Sequence, residues 1–410
     1  MKTNKLILII ILFCLLFLSG CSAETGVESK AYVIAMGLDK GETEKLKLSL
    51  QIAILNGQDQ TSGSSSGSDA STVISIDCSS IDSGISLINS HISKKINLSH
   101  CKAIIFSEEL AYEGTSDVLY TLVTNIEVRP DCNIIVSRCN ASDFLEESTP
   151  IFESNPAHYY ELILNSTEYS GYVSDIYLYN FYSSILNSTS QTVAILGGIN
   201  TEKTQSLAKE NGITANSLDG NYMPDQTPIK SKNSFEIIGC AVFSGDKLVG
   251  ELDNIETLCH LIVTNKLENA IVTIPNPFNL SNNISVYISL NKDTKNKVSF
   301  INDFPFIECN VSVTGDVLSM EPSVDLTNSE YVDMLNSYVS KYLEGIIDEY
   351  LYKTSKEFKS DIASLGSFAL SQYLTWDDWI KSDWLNNYQN SFFKVSVETN
   401  IQGGYLFTDI

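Results

Sequence analysis

The chain has 410 residues, enough for two or three domains, and 43% of them are hydrophobic, so a large core is expected and global disorder is excluded. Fifty acidic residues outnumber 26 basic ones and give a net charge of −24. Nucleic acid and anionic lipid headgroups repel such a surface, so neither a nucleic-acid partner nor a general basic membrane patch is expected.

The first residues have the organisation of a secretory signal. Lys2 and Lys5 precede an apolar run, Leu6–Phe17, which is shorter than the ~20 residues of a membrane-spanning helix. Leu18-Ser19-Gly20-Cys21 follows, and small residues ending on a cysteine are typical of bacterial lipoproteins. We predict that residues 1–20 are a lipoprotein signal peptide and that Cys21 carries a diacylglycerol. An uncleaved anchor with a chance cysteine is the alternative.

Seven cysteines remain after Cys14 and Cys21 are set aside. They include no C-x-x-C pair and no cysteine–histidine group at zinc spacing. Most stand beside apolar residues, so we predict buried thiols, with one or two disulfides still possible. The seven are Cys78, Cys101, Cys132, Cys139, Cys240, Cys259 and Cys309.

The sequence pattern of residues 21–197 predicts a mixed sheet covered by helices. Ala31–Leu38 is predicted as a buried strand, and period-two alternation over Leu46–Ile54 predicts a half-buried strand that forms a hairpin with it. A mobile Ser/Gly-rich loop is expected at Asn56–Ser71. Strands and helices then alternate up to a helix predicted within Val173–Leu186 and a closing strand at Thr192–Leu196.

Residues 198–233 are polar and predict either a linker or a long insertion. A second domain, residues 234–410, is predicted to begin with a hairpin around Ser244-Gly245-Asp246 and a helix capped by Asp253 and Glu256. Three further strands are predicted at Ala270–Ile274, Ile284–Leu290 and Phe306–Val313.

The end of the second domain is predicted to be mainly helical. Apolar residues at spacings of three and four predict one long helix, Glu330–Ile362, with one face on the C-terminal sheet. A helix rich in tryptophan, Trp376 to about Tyr388, and a final strand around Phe393–Ile401 follow. The predicted fold class is α+β or mixed α/β: an N-terminal mixed sheet with packed helices, and an antiparallel-rich C-terminal sheet with a long helix.

No residues point to catalysis, a cofactor or a metal. The four histidines, His91, His100, His158 and His260, are scattered, and no His-Glu-x-x-His occurs. His100 and Cys101 are adjacent, but neighbours in a strand point to opposite faces. The carboxylate pairs Glu108-Glu109 and Asp377-Asp378 are typical of a helix N-terminus. Trp376, Trp379 and Trp384 indicate a core or interface stripe more than a stacking platform.

Short patterned segments stand in order along the mature chain: Ala31–Lys40, His100–Lys102, Phe106–Gly114, Glu127–Pro130, Ala141–Leu145, Ala241–Phe243, Asp246–Gly250, Leu252, Glu256-Thr257, Ser360–Ile362, Gly366, Trp376 and Trp384. Together they resemble the Ger(x)C family, the lipoprotein C subunits of germinant receptors in endospore-forming bacteria. The chain departs from the family's pattern at Ser22-Ala23, where relatives often have Trp-Asp, and in the two long polar stretches.

The resemblance implies a lipid-anchored, non-catalytic protein on the outer face of the spore inner membrane. It implies a complex with two integral-membrane germinant-receptor subunits that senses small nutrients and starts germination. A solute-binding lipoprotein of a transporter is the alternative, and it would show two lobes around a deep polar cleft. A cell-wall hydrolase is a third class and would need paired acids or a metal in a groove.

Overall fold

The structure is a computed structural model that describes residues 29–54, 70–148, 156–164, 170–200, 221–231, 233–319 and 328–402. The predicted signal peptide and Cys21 lie outside the described residues. So do residues 56–69 of the predicted Ser/Gly loop and 201–220 of the predicted linker.

The first sheet is mixed, as predicted. Four strands, β1, β5, β6 and β7, run parallel at its centre; β2 and β3 extend it antiparallel on one side, and β8 and β9 do so on the other. The short β4 pairs with the start of β1. Within the described ranges the strands are β1 Lys30–Lys40, β2 Leu46–Ala53, β3 Ser71–Cys78, β4 Lys95–Asn97, β5 Ala103–Ser107, β6 Asn133–Ser137, β7 Val193–Ile199, β8 Phe235–Ser244 and β9 Lys247–Leu252.

Helices connect the strands and cover the sheet. Helix α1 (Ile81–His91) begins with a capping box: the Ser80 hydroxyl accepts the Ser83 amide, and the Ser83 hydroxyl accepts the Ser80 amide. The helix then buries Ile81 and Ile88 against the sheet. The helices of this part are α1 Ile81–His91, α2 Glu108–Glu113, α3 Ser116–Thr124, α4 Ala141–Glu147, α5 Pro156–Leu164 and α6 Leu178–Ile185.

Parallel pairing gives the first sheet two distinct ends. We call the end where β1, β5, β6 and β7 begin the amino edge; residues 29, 98–102, 125–132 and 186–192 lead into the strands there. We call the opposite end the carboxyl edge, where residues 41, 108, 138 and 200 follow the same strands. Segments far apart in sequence therefore meet at each edge.

The two strands that follow the predicted linker join the first sheet. Val242 of β8 pairs with Val193 of β7, and β9 continues the sheet outward. The first sheet thus contains strands from both predicted domains. Residues 221–231 also contact this part of the protein, since the Tyr222 backbone amide donates a hydrogen bond to Oδ1 of Asn254 at 2.7 Å.

The second sheet has the order β10-β11-β12-β13 and carries the long helix. The pairs β10–β11 and β11–β12 are antiparallel, whereas β13 runs parallel to β12. Helix α8 buries Leu335, Val339 and Leu343 on the side that packs on β13. The strands are β10 Ala270–Asn276, β11 Asn279–Ile301, β12 Phe304–Ser319 and β13 Phe392–Gln402. The helices are α7 Asn254–Val263, α8 Ser329–Tyr352, α9 Gly366–Leu370, α10 Trp376–Ser382 and α11 Trp384–Asn387.

Five predicted elements differ clearly in extent. The long helix ends before Ile362: a π-helical turn follows at Lys353–Phe358, and Lys359 adopts left-handed dihedrals (φ 52°). The tryptophan-rich helix is broken at Asp383 (φ 45°). Residues 173–176 are not helical, because the Ile176 carbonyl instead accepts the amide of Ile134. Finally, β11 and β12 are much longer than predicted, since polar residues pair in the hairpin as well.

Candidate functional site

The histidines lie in unrelated surroundings. His91 and His158 are exposed, and the ring of His100 meets that of Tyr32 edge-on at 4.7 Å. Buried His260 shares a hydrogen bond between its Nδ1 and the Tyr350 hydroxyl (2.8 Å), and burial lowers its pKa to about 3. His260 is therefore a neutral structural group at physiological pH.

The predicted His100–Cys101 neighbours have separate partners. The Cys101 thiol is buried and donates to the Ala103 carbonyl at 3.3 Å, whereas the His100 Nδ1 lies 3.0 Å from the Ser99 hydroxyl. The neighbouring Cys132 thiol and burial both raise the pKa of Cys101. A protonated thiol is a poor nucleophile, so this pair has no catalytic arrangement. All seven cysteines from Cys78 to Cys309 are free thiols in the structure.

The carboxylate pairs stand at helix N-termini, as predicted. Glu108 and Glu109 form the first turn of α2. Asp377 and Asp378 form that of α10, where the Asp378 amide donates to the Thr375 hydroxyl at 3.2 Å. Such positions stabilise a helix through its dipole. In the described part of the chain no three His, Cys, Asp or Glu side chains are grouped closely enough to hold a metal ion.

The three tryptophans divide between core and surface. Trp379 and Trp384 are buried, with ring centroids 6.2 Å apart and planes 27° apart. Trp376, in contrast, is 60% exposed. The buried pair fits the predicted core stripe, and Trp376 remains available to a partner outside the chain.

Four of the residues that carry the family resemblance form a buried junction, which we call the Asp361 junction (Ser360, Asp361, Gly366, Trp384). The Asp361 carboxylate accepts the amides of Leu365 (3.0 Å) and Gly366 (2.7 Å) and the indole N–H of Trp384 (2.8 Å). These bonds fix the chain after the π-helical turn in one conformation.

The Asp361 junction also ties this region to the first sheet. The Ser360 hydroxyl donates to the Phe243 carbonyl of β8 at 2.6 Å, and the Gln191 amide, just before β7, donates to the Asp361 carbonyl at 2.8 Å. A Cβ at Gly366 would collide with the Thr189 carbonyl oxygen, so only glycine fits. Burial raises the pKa of Asp361 to about 6, opposed by its N–H donors. The Asp361 carboxylate therefore holds the backbone at Leu365 and Gly366 in position, and it is buried away from solvent.

A second junction joins the resembling segments at Gly114 and Asp246. Gly114 has φ +129°, and a Cβ there would lie 2.8 Å from an Asp246 carboxylate oxygen. The Asp246 carbonyl accepts the Thr115 amide at 3.0 Å, and its carboxylate accepts the Ser116 amide at 3.1 Å. The hairpin between β8 and β9 thereby caps the start of α3.

A cavity of about 650 Å³ lies beside the second junction. Its wall includes Lys45, Asp117, Tyr120 and Asp246, and the Lys45 ammonium is 2.7 Å from the Asp117 carboxylate. The size suits a small polar molecule. Sequence reasoning missed this cavity because its lining comes from four separate segments, none of which carries a ligand-binding motif.

Sequence reasoning also missed Arg138 at the carboxyl edge. Its guanidinium lies 2.7 Å from the Asp225 carboxylate and 3.4 Å from that of Glu251. Burial raises the pKa of both acids, and Arg138 opposes that rise. The one available signal was a lone arginine directly after a buried strand, and the distant acids cannot be paired with it from sequence.

Comparisons with known proteins agree on one group of proteins. Residues 24–199 match the family model described as the spore germination protein N-terminal domain, and residues 238–404 match the one described as spore germination B3/GerAC like, C-terminal. Two proteins of Bacillus subtilis (strain 168) are each 22% identical over 98% of this chain: YfkR, named as a putative spore germination protein, over 97% of its own length, and spore germination protein KC, over 96%.

A solved structure has the same fold. The crystal structure of the GerBC protein superposes with a TM-score of 0.52 at 17% identity, covering 89% of this chain and 96% of that one. The likeness confirms the predicted fold class. Within the described ranges no helix is long and apolar enough to cross a membrane.

Proposed function

This chain belongs to the GerAC-like, or Ger(x)C, family of spore germination proteins, and on that premise we propose that it is a lipid-anchored, non-catalytic subunit of a nutrient germinant receptor. The observation that carries the proposal is the match of two germination-family models over most of the mature chain. In the same proposal, residues 21–197 and 234–410 are its two family domains and 198–233 connects them.

Lipid at Cys21 is the proposed attachment. The Leu18–Cys21 pattern supports it, as does the charge of the mature chain. Loss of residues 1–20 removes Lys2 and Lys5 and leaves 24 basic against 50 acidic residues, a net charge near −26. Because so acidic a protein gains little from general electrostatic attraction to a membrane, acyl chains must supply most of the attachment.

The proposed partners are two integral-membrane receptor subunits, and the proposed location is the outer face of the spore inner membrane. A non-catalytic role fits the polar groups that the resembling segments contribute. The Asp361 carboxylate accepts hydrogen bonds from backbone and indole N–H groups, and Asp246 caps a helix. These residues therefore connect secondary-structure elements through hydrogen bonds.

A solute-binding lipoprotein is the second candidate, favoured by the cavity of about 650 Å³. Solute-binding proteins close two lobes around a cleft. Here β8 and β9 of the second predicted domain complete the first sheet, and the Asp361 junction bonds the two regions directly. Such a shared sheet disfavours hinge closure.

Two measurements test the receptor assignment. Deletion of the gene should abolish germination in response to one class of nutrient, and co-purification from spore membranes should recover two integral-membrane proteins. Normal germination of the deletion strain with every nutrient, in a background lacking paralogous receptors, would contradict the proposal.

A third measurement tests the solute-binding candidate. Calorimetry of the purified protein against amino acids, sugars and nucleosides should show no tight binding. A micromolar ligand whose binding is lost in Lys45→Ala would favour the solute-binding candidate.

A further inference from the structure

Exposed apolar side chains accumulate at the amino edge of the first sheet. Ile126, in the turn before β6, is 100% exposed, and Leu374, in the turn before α10, is 99% exposed. Tyr179, Leu186 and Trp376 are also more than half exposed. Single exposed apolar residues are ordinary, but several in neighbouring turns at one end of a fold indicate a contact surface.

Hydrogen bonds and ring contacts place the tryptophan-rich region at this edge. The Trp379 indole N–H donates to the Ser188 hydroxyl at 3.0 Å, and Ser188 lies in the segment that leads into β7. The Phe300 ring also meets that of Tyr373 at 5.8 Å, so the turn carrying Leu374 is held beside the tip of the second sheet. The exposed apolar groups are therefore anchored by neighbours that pack within the fold.

Lysines lie at the same edge. Lys30 begins β1 and Lys95 begins β4, and both line a cavity of about 330 Å³ together with Ser29 and Glu127. Lys94 is exposed beside them. Among the described residues none of these three lysines has an ion-pair partner, although the whole chain has a net charge of −24.

Acidic residues are present at the amino edge as well, but most are engaged. Asp131 is paired with Arg129 at 2.6 Å, and a Glu127 carboxylate oxygen accepts the Leu98 amide at 3.3 Å. Asp377 and Asp378 stand in the first turn of α10. At the β1–β4 corner itself, three lysines outnumber Glu127, the acid among the residues that line the cavity, and give the corner a local positive character.

The start of the described chain is at this corner. Ser29 follows Cys21 by eight residues, and an extended chain covers at most about 3.5 Å per residue, so the two are at most about 28 Å apart. A lipid on Cys21 would hold the amino edge, rather than the carboxyl edge, close to the membrane.

We propose that the amino edge is a membrane-contacting face, with Trp376, Leu374 and Ile126 in the interfacial layer and Lys30, Lys94 and Lys95 against phospholipid phosphates. This inference rests on the proposed lipid anchor at Cys21. Tryptophan favours the membrane interface because its ring is apolar and its N–H is polar, and lysine is attracted by anionic headgroups.

The tryptophans supply a built-in probe. Lipidated protein is reconstituted into nanodiscs that contain phosphatidylglycerol with brominated acyl chains, which quench nearby indoles. Trp376 should be quenched, whereas buried Trp379 and Trp384 should not. In Trp376→Phe the lipid-dependent quenching should be lost. Persistent emission from Trp376 in a protein whose lipid is confirmed by mass spectrometry would overturn the proposed face and leave the anchor standing.

Charge reversal tests the lysines. Lys94→Glu with Lys95→Glu should lose most of the quenching of Trp376, whereas the matched pair Lys292→Glu with Lys295→Glu, exposed on β11, should retain it. Equal quenching in both variants would overturn the lysine contacts. If Cys21 carries no lipid, the proposed anchor is wrong. The proposed membrane face is then tested separately, by adding vesicles of the same brominated lipid to the protein and measuring the quenching of Trp376. If the emission of Trp376 changes only when the membrane subunits are present, the proposed lipid contact is wrong and the amino edge contacts those subunits instead.

Discussion

At the residue scale, the Asp361 junction depends on the absence of a side chain at Gly366. We expect Gly366→Ala to lower the free energy of unfolding by about 1–3 kcal/mol, because its Cβ would meet the Thr189 carbonyl and the Trp384 indole. Gly345→Ala is the matched control: it lies in α8 with open space around its Cβ, and should gain up to about 1 kcal/mol from helix propensity. Denaturant unfolding measures both, and equal effects would contradict the assigned packing.

The same junction predicts a dependence of stability on pH. Burial raises the pKa of Asp361 from 3.8 to about 6, so the folded state binds this proton more tightly than the unfolded state. Its stabilising contribution is therefore fully present below pH 3.8 and is lost as the pH rises through about 6.

Asp361→Asn isolates this contribution. The variant should be less stable than the parent, because its amide N–H groups would face N–H donors. The difference in unfolding free energy should be larger at about pH 4 than at about pH 7, by up to about 3 kcal/mol. Denaturant titrations across this range measure it. A difference that shrinks on acidification would mean that the N–H donors outweigh burial.

Residue-scale prediction from sequence succeeds where partners are close in the chain. The caps of α1 and α7 could be predicted because Ser80 and Ser83, or Asp253 and Glu256, are three residues apart. Arg138 could not be paired with Asp225, which is 87 residues away. Only the folded sheet brings such groups together.

At the element scale, α8 is held by its apolar face. Leu343 is 1% exposed on the side that packs against β13. Leu343→Asp should destabilise the protein by several kcal/mol, roughly 3–5, since it buries an unpaired charge and leaves a cavity. Lys341→Ala, on the exposed side of the same helix, should change stability by less than about 0.5 kcal/mol. Thermal unfolding compares them, and an unchanged midpoint for Leu343→Asp would show that this face is not core.

The end of the long helix shows what periodicity leaves out. The helix is predicted to run to Ile362, yet the π-helical turn at Lys353–Phe358 redirects the chain. That turn sets Lys353 against Glu256 at 2.6 Å and places the Phe358 ring over Gly250. These tertiary contacts, rather than local propensity, decide where the helix stops.

At the scale of the whole molecule, the sequence predicted a mixed sheet, a second sheet and a long helix, but not how they join. Alternating strands and helices and the period-two pattern identify elements of this kind. Strand order is set by pairing over long distances, and β8 and β9 therefore reach the first sheet across the predicted linker. The resemblance to a known family supplied the role in germination, which no single residue of the described structure would have indicated.

Attachment is also a property of the whole molecule, because a net charge near −26 after signal removal opposes adsorption to anionic membranes. Cys21→Ala should therefore move the protein from the membrane pellet to the soluble fraction once its signal is removed. Two acyl chains give stable anchoring, whereas a few lysines at the amino edge give weak, salt-sensitive binding. Fractionation after a high-salt wash separates these contributions.

Cys14→Ala provides the matched control, since Cys14 lies in the apolar run and would leave with the proposed signal peptide. It should stay in the pellet with its lipid intact. Mass spectrometry must first establish where the Cys21→Ala chain begins, because a retained signal would itself hold the protein in the membrane. A Cys21→Ala chain that lacks the signal and still sediments after the wash would show that contacts with the membrane subunits, rather than lipid, provide the main attachment.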